Sequence, residues 1–176
     1  ENCYKRKMLL QLHFGTFRNV NSAAYGQCGK DSGFDIMRGA IDTDKLVKIF
    51  DRENMRLGGL PKIVVYPLND YDLRAIATLT GAFPSVKLGA AWWFNDTVSG
   101  IKRQMETAAE YSALGTQYGM LTDSRSFSSY VRFDFYRRIL SSFICEKVEK
   151  GEYDETAAIA LARKIAYENI KNALAV

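Results

Sequence analysis

The sequence predicts an α/β fold built on a parallel sheet. Three observations carry this. Four short apolar runs are spaced along the 176 residues. A helical pattern follows each run. Strand–helix alternation then calls for parallel strands joined by right-handed crossovers. A chain of this length suits one domain with a real core, since it buries roughly two-thirds of its unfolded surface.

The first predicted strand is Met8–Phe14. A long polar, glycine-containing loop follows, from Gly15 to Gly33. Leu46, Val47, Ile49, Phe50 and Met55 then fall on one helical face, with Thr43 or Asp44 able to cap its start. Gly58-Gly59 ends this helix, and Pro61 prevents continuation. The second strand, Lys62–Tyr66, is β-branched and nearly continuous, the pattern of a strand buried on both faces. Asn69-Asp70 can cap a helix carrying Leu73, Ile76, Ala77 and Thr80, stopped near Gly81.

The third strand is Val86–Trp92, after which Asn95-Asp96-Thr97 precedes a helix with Val98, Ile101, Met105, Ala108 and Ala109 inward. The fourth is Tyr118–Thr122, followed by a helix placing Tyr130, Phe133, Arg137, Leu140 and Ile144 on one face and running toward Gly151. A last helix begins near Asp154 and turns Ala158, Leu161, Ile165 and Tyr167 inward. The pattern suits an open doubly wound sheet or part of a (β/α) barrel. The usual glycine-rich nucleotide fingerprints are missing.

Composition excludes several classes. Apolar residues are 47% and charged residues 25%, ordinary for a globular protein. No apolar run approaches the ~20 residues of a membrane span, and Glu1–Lys7 lacks the apolar core of a secretory signal. The net charge of +4 is spread among acids with no Lys/Arg–aromatic stripe, so neither nucleic acid nor a membrane is an expected partner. Cys3, Cys28 and Cys145 are odd in number and far apart, which argues against a disulfide framework and for a reducing cytoplasm. A single histidine, His13, cannot build a multi-histidine metal site within this chain. The first residue is Glu rather than Met, which suggests a processed or truncated piece.

Parallel α/β folds bind ligands at the carboxyl ends of their strands. The first strand ends at His13, a core residue or a catalyst, with Arg18 and Asn19 beyond it as donors for an anionic or hydroxylated ligand. The second ends at Asn69-Asp70, where capping suffices. The third ends at Trp92-Trp93. Adjacent side chains on a strand face opposite ways, so one indole can pack outward while the other walls a pocket. The fourth ends at Asp123-Ser124-Arg125-Ser126. Three candidate caps in a row make Asp123 dispensable as a cap and eligible as a metal ligand or general base. Arg125 could grip a carboxylate through two parallel hydrogen bonds.

Taken together, Leu10 to Asn19, Trp92-Trp93-Phe94-Asn95-Asp96, and Gly119 to Phe127 with Ser129-Tyr130 and Phe135 to Leu140 resemble the uronate (glucuronate) isomerase family of the amidohydrolase superfamily. The resemblance covers almost the whole chain. It implies a (β/α)8 barrel that interconverts hexuronates, glucuronate with fructuronate and galacturonate with tagaturonate. It also implies a divalent metal, commonly zinc, at the strand ends. The family places a His-x-His pair on its first strand, and none exists here. The four strands would therefore be strands five to eight, and residues 1–176 the carboxy-terminal part of one barrel domain, since a full barrel needs ~250 residues.

On that resemblance Asp123 is metal ligand or catalytic base, and His13 is the strand-five histidine. Arg125 would hold the substrate carboxylate, with Arg18 a weaker candidate, and Trp92 would form an apolar wall. The main histidine ligands would lie outside this chain. Strand edges left open by a half-barrel would pair with the missing amino-terminal half or with a second copy, giving a homo-oligomer. Two rivals stand beside the isomerase: a metal-dependent hydrolase of the same superfamily, and a catalytically silent half-barrel.

Overall fold

A computed structural model describes residues 1–124 and 126–174 of the chain. The central sheet is parallel and three-stranded, in the order β1 (Leu10–Phe14), β4 (Ile63–Pro67), β5 (Val86–Leu88). Leu10 to Phe14 pair in register with Ile63 to Pro67, and Ile63 to Val65 with Val86 to Leu88. All five residues of the central strand β4 are buried, as its continuous apolar pattern predicts. With helices beside the sheet, the architecture is α/β and consistent with a partial barrel.

The loop after β1 is more structured than the sequence suggests. Gly15, at φ 98°, kinks the chain into β2 (Thr16–Phe17), which pairs antiparallel with β3 (Ile36–Met37). A side chain at Gly15 would sit 3.1 Å from the Leu68 amide nitrogen. Helix α2 (Ser22–Cys28) fills the span between β2 and β3. Two-residue strands carry no alternation to read, which is why the pattern passes over them.

The helices follow their caps. After the short α1 (Asn2–Lys5), helix α3 (Thr43–Leu57) is capped by Asp42, not Thr43 or Asp44, through the Lys45 amide at 3.0 Å. Gly58 closes it in the left-handed conformation. Its buried face runs through Leu46 and Phe50, whereas Val47, Ile49 and Met55 are exposed, because only positions four apart stay under the same ridge. Asn69 caps α4 (Asp70–Ala82), and Thr97 caps α5 (Val98–Tyr111).

Helix α6 (Val131–Glu149) rises from a 3-10 turn at Phe127–Tyr130 with no side-chain cap. It buries Tyr136, Ile139, Leu140, Phe143 and Ile144, leaving Tyr130 and Arg137 outside. Asp154 caps α7 (Glu155–Arg163). A π-turn at Lys164–Glu168 leads into α8 (Asn169–Leu174); Ile165 is fully buried, and Tyr167, two residues on and therefore on the opposite helical face, points out. Among the described residues no helix is long and apolar enough to cross a membrane.

Two sequence-predicted strands differ. The third is shorter, ending at Leu88, and the fourth, Tyr118–Thr122, forms no strand ladder. Gly119 is the reason in the second case. It sits at φ 71°, outside the strand region, and a Cβ there would lie 2.7 Å from the Ile165 carbonyl oxygen. Gly89 marks the end of β5, where a Cβ would lie 2.1 Å from the Tyr66 ring.

The two faces of the sheet are unequal. Leu10, Leu12, Phe14, Ile63, Val65, Val86 and Leu88 turn toward the helices and join one continuous core with Ile76, Ile101, Met105 and Leu140. The opposite face holds a small cluster of Val64, Tyr66, Leu68 and Trp92. On β1 that face carries Gln11 and His13, both largely exposed.

Candidate functional site

The carboxyl ends of β1, β4 and β5 converge on the small-cluster face. His13 is the fourth of five residues in β1, directly opposite Tyr66 in the register. Its ring lies edge-on to Tyr66 with centroids 4.6 Å apart, and tilted against Trp92 at 4.4 Å. Those two aromatics cover one side of the imidazole while its other side stays open. This partial burial pushes the His13 pKa below its ordinary value, and the Asp123 carboxylate opposes the shift in part. Gly89 makes the stack possible, since only a hydrogen fits against the Tyr66 ring there.

His13 and Asp123 line one open cavity of about 650 Å³, together with Gln11, Thr122 and Ser124. Asp123 also borders a second cavity, of about 480 Å³, walled by Arg18, Trp92, Trp93, Asp96 and Arg132. The two spaces therefore share Thr122 and Asp123 in their walls. No side-chain cap bond forms at the start of the 3-10 turn that follows, so capping does not account for Asp123. Its backbone lies at φ 48°, and Trp93 across the second cavity lies at φ 51°. Asp tolerates that region; a bulky Trp there is a real outlier and costs about 1–3 kcal/mol.

The tryptophans are not strand neighbours on opposite faces. Trp92 caps, and Trp93 begins, a 3-10 turn at Trp93–Asn95, with rings 5.4 Å apart and tilted 34°. Trp92 is 8% exposed and its indole N–H has no partner among the described residues. Trp93 is half exposed, and the Arg18 guanidinium sits 5.4 Å over its ring. Arg18 is also ion-paired with Asp31 and with Asp35, at 3.3 Å to the latter. Arg125 lies outside the described residues.

Sequence reasoning gave Asn95 and Asp96 no role at the site beyond preceding a helix, and passed over Arg132. With Thr97 serving as the helix cap, Asn95 is released to donate from Nδ2 to the Leu68 carbonyl at 2.9 Å, tying the aromatic turn to the end of β4. Asp96 is ion-paired with Arg132 of α6. The available signal was Arg132 itself, a cation at a helix amino terminus where anions are favoured.

The donor set bears on metal binding. Asp123 and His13 are a hard oxygen and an imidazole facing one cavity, suitable ligand chemistry for a divalent ion. Among the described residues no group of three or more His, Cys, Asp or Glu side chains could hold a metal. His13 and Asp123 by themselves could supply only part of a coordination shell. Its three cysteines are free and take no part.

The family model for glucuronate isomerase matches residues 1–174. The chain is 40% identical to the uronate isomerase of Staphylococcus haemolyticus, over 96% of this chain and 38% of that protein. It is 40% identical to that of Lachnospira eligens, over 94% and 37%. Among solved structures, the uronate isomerase of Thermotoga maritima superposes with a TM-score of 0.89 at 33% identity, covering 97% of this chain and 37% of that one. The glucuronate isomerase of Caulobacter crescentus superposes with a TM-score of 0.88 at 30% identity, covering 97% and 36%. The chain spans a little over a third of the length of the relatives it matches. From the extent of the family match and the agreement of the fold, the chain belongs to the glucuronate isomerase family.

Proposed function

We propose that this chain supplies strands five to eight of a (β/α)8 barrel, with residues 1–176 as the carboxy-terminal part of one barrel domain. Within that barrel it serves an aldose–ketose isomerase of hexuronates in the cytoplasm. The observation that carries this reading is the meeting of His13 and Asp123 on one open cavity beside an aromatic wall, in a chain of this family. The open inner face fits a surface closed by further barrel strands carrying the remaining ligands. Subunit association into a homo-oligomer belongs to the same reading.

Glucuronate would become fructuronate, and galacturonate tagaturonate. The reaction takes a proton from C2 and returns it to C1, with an enediolate between. A divalent metal, commonly zinc, would stabilise charge on the substrate oxygens when bound. Asp123 would stand at the reaction centre as ligand or as base. His13, kept largely neutral by its aromatic neighbours, would donate to or accept from a substrate oxygen. Arg125 would fix the C6 carboxylate and so decide which carbon faces the base. Trp92 would exclude water from the carbon skeleton. Arg18 would add positive potential at the rim, moderated by Asp31 and Asp35.

The test is to exchange this chain for the matching segment of the Staphylococcus haemolyticus uronate isomerase. A folded chimera that converts glucuronate to its ketose supports the reading, and Arg125→Ala in it should cost about 2–5 kcal/mol of transition-state stabilisation. A folded, metal-loaded chimera that isomerises no hexuronate, or that instead cleaves amides or lactones, overturns it.

A further inference from the structure

The ion pair between Asp96 and Arg132 has no part in the chemistry above, yet both residues line the cavity beside Asp123. Asp96 closes the 3-10 turn that carries the tryptophans, and Arg132 is the second residue of α6. Arg132 Nη2 meets Asp96 Oδ2 and also donates to the Asp96 backbone carbonyl at 3.3 Å. The pair therefore bridges two strand-end segments that are 36 residues apart in sequence.

Three features separate it from an ordinary stabilising bridge. Arg132 places positive charge in the first turn of a 19-residue helix, where the helix dipole favours anions. The Asp96 side chain is only 12% exposed, and Asp96 Oδ1 and Arg132 Nε are buried without partners among the described residues. With the Arg132 side chain still 38% exposed and the pair incompletely hydrogen-bonded, the bridge is a poor source of stability. Finally, the turn it closes is strained at Trp93, and strain persists only where surrounding contacts hold it.

We propose that Asp96 and Arg132 are a positioning pair: by clamping the aromatic turn to the first turn of α6, they set the gap between the Trp92–Trp93 wall and Asp123, and with it the fit of the sugar ring. The ligand's identity rests on the function proposed above; the clamp itself does not. Neither residue touches reacting atoms, so the pair acts on how the substrate is seated.

The chain contains two tryptophans, and both are in this wall, so the tryptophan emission of the 176-residue chain, excited above the tyrosine band, reports on it alone. Arg132→Gln and Asp96→Asn should each red-shift that emission and ease its quenching by acrylamide, with far-ultraviolet circular dichroism unchanged. Arg132→Lys, which keeps the charge, should recover much of the wild-type emission. Should Arg132→Gln fail to fold, the near-isosteric Asp96→Asn carries the same reading. In the chimera, Arg132→Gln should raise KM about tenfold with kcat within about twofold, the pattern of lost uniform binding. Unchanged emission in both neutralising variants overturns the clamp, whether or not the chimera is an isomerase. Shifted emission with an unaltered KM in an active chimera overturns its role in seating the sugar. An inactive wild-type chimera bears on the proposed function only, and the emission result still decides the clamp.

Discussion

The two faces of the central sheet are made from alternate residues of the same strands, yet they obey different rules. On the helix side, Leu10, Leu12, Ile63, Val65, Val86 and Leu88 pack into one core with fully buried Ile76 and Ala108. On the other side a small cluster around Tyr66 and Trp92 gives way to exposed Gln11 and His13, two cavities that share Asp123, an indole N–H without a partner among the described residues and backbone strain at Trp93. The first face is what stability alone selects. The second is poorly explained by stability and well explained by a ligand and further strands covering it. A period of two in the strands places packing and chemistry a single residue apart.

The contrast can be broken by substitution. Ile76→Ala removes a fully buried side chain from the helix-side core and should destabilise the chain by about 2–5 kcal/mol, read by chemical denaturation. Gln11→Ala, on the open face, should change stability by less than about 0.5 kcal/mol. Equal losses from the two would remove the distinction between the faces. Gly89→Ala tests the junction between them. The added methyl must displace the Tyr66 ring, costing about 1–3 kcal/mol and disturbing the aromatic contact of His13.

Smaller effects come from charge. The His13 pKa is lowered in the folded chain, so below the ordinary value of 6.5 the unfolded chain binds more protons than the folded one. Its contribution to stability is complete above that value and is lost as pH falls through the depressed native pKa. The effect is modest because the ring is partly open to solvent. His13→Gln should flatten this part of the stability–pH curve; an unaltered curve would show that the ring's burial is not felt. Arg18→Gln should cost about 1–2 kcal/mol by thermal or chemical denaturation: the bridge to Asp31 is exposed and worth little, but the buried Asp35 carboxylate loses a partner.

The helix-side face was legible in the sequence because burial imposes periodicity. Ile63 and Val65 in a β-branched run, and Ile76, Ile101 and Leu140 at helical spacing, announce themselves. Errors arose where local geometry overrides pattern. Gly119 at positive φ interrupts the expected fourth strand, and Gly89 marks the early end of the third. At the site, His13 and Asp123 line one cavity and Trp92 and Asp123 the next, and these are residues that strand-end logic had singled out. Asp96 and Arg132 stayed hidden because each has an ordinary local reading, a residue before a helix cap and a charged helical residue. Only their pairing across 36 positions gives them meaning.

The central claim is that the open face is a catalytic face whose focus is Asp123. The most direct measurement is kcat/KM for glucuronate in the chimera with and without Asp123→Asn, alongside metal content and melting temperature. The account predicts that the Asn form melts with the parent, within the fraction of a kcal/mol expected of an exposed, near-isosteric change, and has lost isomerisation or its metal. An Asn form that is stable, metal-loaded and fully active would contradict it.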